Sequence, residues 1–196
     1  MGSGLNEGIL RRFLVSSLSV DWVPPEKEQI DNGRKYCLCV DNTPETRGAI
    51  LDESGTLLWR YEPRPLRSVY SPLNLLGKPE LVFINREEQE VLKISRNRRL
   101  PPSFELLDGD QSVGRIVLQT PLRNRYRVEF QTGTTWLIKM RLFSTYFPGK
   151  ALTGKRVWIM VGPCKRQWNL LLDPEADHLH LLAALAFIHR EWWCYS

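Results

Sequence analysis

The stretch Gln167-Trp-Asn-Leu-Leu-Leu-Asp-Pro-Glu-Ala-Asp-His-Leu-His-Leu-Leu-Ala-Ala-Leu-Ala-Phe-Ile-His-Arg190 decides how the rest of the sequence is read. It opens on a short β-forming run, turns through Asp173, Pro174 and Glu175, and continues into Leu179 to Ile188, apolar except for His180. Apolar side chains on every side of a helix leave it no face for water, so it must be enclosed. A helix that crosses a bilayer needs about 20 mostly apolar residues, roughly twice this run. The reading is a buried core helix opened by Asp173-Pro174-Glu175, with proline in its first turn and acids at its positive end.

Upstream, from Arg34 to Leu172, the pattern changes to short runs of β-formers separated by Gly, Pro, Asp and Asn. Ala49 to Trp59, Leu81 to Ile94 and Phe104 to Leu118 each place an apolar run, an Asp- or Asn-led turn and a second run in succession, the layout of a β-hairpin. Their turns fall at irregular intervals, which describes a meander and not a repeat array. In a fourth hairpin, taking Gly133-Thr134-Thr135 as the loop sets Tyr126, Val128 and Phe130 opposite Leu142, Met140 and Ile138 on the apolar face. The same register sets Glu129 opposite Lys139 and Arg127 opposite Arg141 on the outer face. Two further strands, Lys155 to Val161 and Lys165 to Leu172, follow Pro148-Gly149. The expected fold is mainly β: a closed antiparallel barrel of about twelve strands around the hydrophobic C-terminal helix, closure also removing exposed sheet edges.

Residues 5–22 suggest a short helix, Pro24-Pro25 ends it, and the polar stretch to Gly33 reads as a linker. The division is therefore an N-terminal extension, 1–33, and a barrel, 34–196. At 196 residues, 42% of them hydrophobic, the chain can bury a substantial core. Cys37, Cys39, Cys164 and Cys194 are too few for a disulfide framework, and Cys37 and Cys39 are too close along an extended strand for an ordinary bridge. These features lead to the expectation of a cytoplasmic protein with no signal peptide, lipid anchor or transmembrane helix, peripheral at most to a membrane.

The layout of the β region, its last strand Gln167 to Leu172, the Asp173 to Asp177 turn and the helix ending at His189-Arg190 resemble the tubby-like C-terminal fold. The resemblance is to its phospholipid scramblase and plant LURP-one-related branch, over roughly residues 34–193. It implies a twelve-stranded barrel around a hydrophobic helix that engages acidic phospholipids or serves as an interaction scaffold, with no shared active site. Two departures stand out. The cysteine-rich segment of animal scramblases has no counterpart among the four cysteines, and their proposed calcium segment is replaced by the short turn before the helix. No functional residue is carried over.

Motifs for chemistry are incomplete. Gly149 to Arg156 nearly spells a phosphate-binding loop, but Arg156 stands where a Ser or Thr would hold magnesium, and a strand follows where a helix is needed. His178 and His180 lie two apart on a helix, on opposite sides, so they do not ligate one ion together. Asp108-Gly109-Asp110 lacks the remaining ligands of a calcium loop. No metal site, cofactor or catalytic residue is expected, and an active site at the barrel rim is the least favoured reading.

One constellation rises above this background. Residues 90–170 carry 15 bases against 5 acids, whereas residues 1–89 carry 11 against 13. Nineteen of the 27 bases are arginine, whose planar fork suits phosphate. Alternate residues on a strand share one face at about 6.6 Å spacing. Arg123, Arg125, Arg127, Lys139 and Arg141, with Arg96, Arg98 and Arg99, are accordingly the candidate lipid- or phosphate-binding residues. The expected partners are acidic phospholipids or a protein at the membrane surface. Nucleic acid is the weaker alternative, because single-strand binders interleave exposed aromatic rings with the bases and Tyr126, Phe130 and Trp136 are expected to point inward.

Overall fold

The computed structural model describes residues 25–41, 47–64, 80–97, 103–119, 125–140, 146–151, 155–162, 166–174, 176 and 178–193. A short helix, α1 (Lys27–Asn32), precedes twelve strands: β1 (Arg34–Val40), β2 (Gly48–Asp52), β3 (Leu57–Arg64), β4 (Glu80–Ile84), β5 (Glu90–Asn97), β6 (Ser103–Asp108), β7 (Gln111–Leu118), β8 (Arg125–Phe130), β9 (Thr135–Lys139), β10 (Tyr146–Ala151), β11 (Arg156–Val161) and β12 (Gln167–Leu172). The chain ends in helix α2 (His178–Trp193). The expected mainly antiparallel β region with a C-terminal helix is thus present.

Each strand pairs antiparallel with the next, and β1 pairs both with β2 and with β12, so the strand order returns on itself as a closed barrel. Antiparallel neighbours need only short connections, which is why a meander is the simplest route to this order. Inside and outside follow from the two-residue period of strands. Leu38 and Val40 of β1, Leu92 and Ile94 of β5, Tyr126, Val128 and Phe130 of β8, and Leu170 and Leu172 of β12 belong to one core cluster.

Helix α2 lies in that cluster. Leu181, Leu182, Ala183, Ala184, Leu185, Ala186 and Ile188 have no exposed surface, and Phe187 has almost none. Its rings touch well-separated parts of the barrel: Phe187 meets Phe104 of β6 at 4.5 Å between centroids, and His189 stacks on Trp168 of β12 at 4.5 Å. At its start, His178 lies 6.1 Å from Tyr36 of β1, and His180 lies 6.1 Å from Phe130 of β8. The three alanines keep the helix slim enough for large residues such as Trp136, Trp168 and Tyr61 to be fully buried as well. Full burial of each large apolar side chain contributes about 1.5–3 kcal/mol.

Sequence expectations need correction at several points. The helix begins at His178, so Asp173 to Glu175 precede it and no acid lies in its first turn. There the backbone turns with Ala176 N–H donating to Asp173 O, and His178 Nε2 lies 3.1 Å from Pro174 O. The polar stretch before Gly33 is helix α1 and not a linker. Glu26 and Gln29 form a reciprocal capping box at its start, and Ile30 is buried. Strand β10 contains Pro148-Gly149, which the sequence reading took as a break; Pro148 nevertheless pairs with Trp158.

The fourth hairpin is shifted. Its loop is Gln131 to Gly133, with Gly133 at φ +84, the left-handed position of a three-residue connection, and Phe130 N–H donates to Thr134 O at 2.9 Å. Arg125 therefore faces Lys139, Tyr126 faces Ile138, Arg127 faces Leu137 and Val128 faces Trp136. The displacement from the expected register is an even number of residues, so every side chain stays on its expected face while every partner changes. The helix suggested for residues 5–22 lies outside the described residues.

Candidate functional site

Strands β7, β8 and β9 present their outward side chains as one basic face. Arg125 and Arg127 alternate with buried Tyr126 and Val128, so both arginines leave the barrel on the same side. Lys139 stands across from Arg125, and Arg115 of β7 stands across from Glu129 of β8. Glu129 carries two ion pairs: Arg115 Nη2 approaches its Oε2 at 2.7 Å, and Arg127 Nε approaches its Oε1 at 2.8 Å. Glu105 of β6 lies beyond Arg115 in the ladder. Four cations thus meet two carboxylates on this face, a surplus of positive charge among the described residues. Leu137, 41% exposed, lies opposite Arg127 and gives the face an apolar point between the charged side chains.

The opposite part of the barrel differs. Lys35 pairs with Glu53, Arg47 with Glu62, Arg60 with Glu88 and Arg64 with Glu90. Exposed pairs of this kind each contribute only about 0–1 kcal/mol, but they flatten the local potential. On β7 to β9 the surplus is carried by Arg115, Arg125, Arg127 and Lys139.

Of the eight sequence candidates, Arg125, Arg127 and Lys139 come together. Arg96 does not join them: it faces Phe104 in the β5–β6 ladder and shares the inward parity of Ile94, reaching solvent only because it stands near the end of its strand. Arg98, Arg99, Arg123 and Arg141 lie outside the described residues. The expected Glu129–Lys139 and Arg127–Arg141 oppositions are replaced by the pairings above. Arg115 and Leu137 were not singled out from sequence. Arg115 could have been found by extending the alternation of β8 into its neighbour, since Gly114 and Ile116, on either side of it, point inward.

The histidines pack against rings and backbone, as described above, and among the described residues no three His, Cys, Asp or Glu side chains gather as a metal site. Tyr61 is enclosed, and burial drives its hydroxyl pKa well above the ordinary range. Its O–H donates to Cys39 O at 3.2 Å, while Gly48 leaves room for the ring: a Cβ there would lie 2.2 Å from Tyr61 Cζ. These are structural arrangements of the barrel wall. No helix among the described residues is long and apolar enough to cross a membrane.

No family model and no curated protein matches the chain. Among solved structures, the X-ray structure of a protein from Arabidopsis thaliana aligns with a TM-score of 0.54 at 9% sequence identity, over 79% of this chain and 89% of that one. In fold, then, the chain is similar to that Arabidopsis protein across most of both.

Proposed function

We propose that this chain is a tubby-like barrel, closed around its C-terminal helix, that binds acidic phospholipid head groups at a membrane surface without catalysing a reaction. The observation that carries the reading is the grouping of Arg115, Arg125, Arg127 and Lys139 on one outward face, with exposed Leu137 among them. Each base near an anionic leaflet contributes about 1 kcal/mol, and the attraction is screened by salt. An exposed leucine among bases adds a small apolar anchor to a mainly electrostatic attachment.

The burial of Tyr126, Phe130 and Trp136 supports lipid over single-stranded nucleic acid, since no ring of this hairpin is offered for stacking. Flotation with phosphatidylcholine vesicles containing phosphatidylserine or a phosphoinositide, at low and high salt, tests the proposal. Binding that requires the anionic lipid and weakens with salt is expected. Absence of binding at low salt overturns it, and tight binding of random oligonucleotides in a gel shift transfers the face to nucleic acid.

A further inference from the structure

Strand β1 carries a second constellation that the lipid reading does not use. Leu38 and Val40 point into the core, which turns Cys37 and Cys39 outward, half-buried and on one face of the strand. Both are free thiols, and their sulfurs lie 3.4 Å apart, within hydrogen-bonding reach of one another. The residues directly beside them are uncharged: Asn169 and Leu51 flank Cys37, and Gln167 and Ala49 flank Cys39. Along the chain, Lys35 stands two residues before the pair, bonded to Glu53, and Asp41 two residues after it.

The two thiols are not equivalent. Cys39 faces the small Ala49, whereas Cys37 faces Leu51, so a reagent reaches Cys39 past less side-chain bulk. A thiol that donates a hydrogen bond to its neighbour favours that neighbour as the thiolate, the form that acts as nucleophile. Donation from Cys37 is the leading reason that the Cys39 pKa is lowered to about 7, and the same bond raises that of Cys37.

The strand also keeps the pair from closing on itself. Residues two apart on an extended strand are separated by about 6.6 Å, whereas the Cβ atoms of a disulfide come within about 3.5–4.5 Å of one another. Bringing Cys37 and Cys39 together requires β1 to bend, and β1 is held by ladders to β2 on one edge and to β12 on the other. A group bonded to the Cys39 sulfur is therefore not displaced by Cys37.

We propose that Cys39, with Cys37 as its hydrogen-bonding partner, is a site of reversible modification by a low-molecular-weight disulfide of the glutathione type, retained as a mixed disulfide on the barrel exterior. The Cys39 thiolate attacks one sulfur of the disulfide R–S–S–R, so that a bond from Cys39 to that sulfur forms and the original S–S bond breaks. The leaving thiolate takes up a proton from solvent, to which Cys39 gave its own. Cys39 is oxidised and the leaving thiol is reduced. An excess of free thiol runs the exchange backwards.

The test incubates the reduced full-length chain with oxidised glutathione and locates adducts by peptide mass spectrometry with fragmentation, which reads each cysteine separately. A glutathione adduct at Cys39, removed by dithiothreitol, is expected. Its rate of formation should rise with pH about a midpoint near 7. In Cys37→Ala, shown to be folded by circular dichroism, that midpoint should move up toward about 8.5, the ordinary thiol value. No adduct at Cys39 under conditions that modify it in the urea-unfolded chain overturns the proposal. So does a Cys37–Cys39 disulfide formed in place of the adduct, or a midpoint that Cys37→Ala leaves unmoved. The adduct and its pH profile are read on the wild-type chain and do not depend on how the variant folds.

Discussion

Arg125 of β8 lies directly opposite Lys139 of β9. Like charges at directly opposed positions work against the fold, so this pairing stabilises the barrel less than an opposite-charge pair would. Lys139→Glu is expected to raise unfolding stability by about 0.2–1 kcal/mol while weakening vesicle binding. Urea denaturation and flotation on the same samples check this. A variant that loses stability and keeps full binding contradicts it.

Glu129 restrains two of the four cations. Replacing it in Glu129→Gln breaks ion pairs to Arg115 and Arg127. These pairs are partly exposed, so the expected loss is modest, about 1 kcal/mol in total. With one negative charge removed, affinity for anionic vesicles should rise, most visibly at low salt. Vesicle titrations of both proteins at two salt concentrations decide it, and unchanged or reduced affinity counts against the role given to this face.

Leu185 has no exposed surface and lies in the core cluster. Leu185→Ala should cost about 2–5 kcal/mol, the range for a leucine whose removal leaves a cavity. The midpoint of urea denaturation reports it. A loss below about 1 kcal/mol would place this residue outside a packed core.

The β2–β3 turn is closed by Asp52. Its Oδ1 accepts from the backbone N–H of Ser54 and of Thr56, each at 2.9 Å, and from the Ser54 hydroxyl at 2.6 Å. Ser54's hydroxyl is the leading reason its pKa is held below the ordinary carboxylate range. The folded value lies below the unfolded one, so the charged group's contribution is full above about pH 4 and is lost as pH falls through the folded value. Asp52→Asn should accordingly be less stable than wild type at neutral pH, with the difference closing in acid. Denaturation midpoints from pH 7 to pH 2 test this, and a difference that widens in acid would refute it.

Much of the architecture was legible because strand alternation and an all-apolar helix are properties of residue order. Tyr126, Val128 and Phe130 point inward as read, and Arg125 and Arg127 outward. Register was not legible. The choice between loops at Gln131 to Gly133 and Gly133 to Thr135 leaves the faces alike and rests on which position of the turn Gly133 occupies. Strand β10 was hidden by Pro148, which cannot donate to a ladder and so reads as a break. Helix α1 did carry a signal, Glu26 three residues before Gln29, overlooked because the segment has only Ile30 to bury.

The basic face was legible in its β8 residues and less so elsewhere. Arg96 follows Ile94 on the inward side, a consequence of strand parity that charge clustering along the sequence does not reveal. Nor does sequence show that bases such as Arg60 and Arg64 meet Glu88 and Glu90 more than 20 residues away. The local charge surplus is therefore a property of the folded surface.

The most direct measurement is the affinity of the wild-type chain and of an Arg125→Glu, Lys139→Glu variant for vesicles of increasing phosphatidylserine content at constant low salt. Wild-type affinity should climb steeply with anionic lipid, and the variant, still folded by circular dichroism, should show little or no climb. Equal responses from the two proteins, or a wild-type affinity indifferent to lipid charge, would contradict a phospholipid-binding face on β7 to β9.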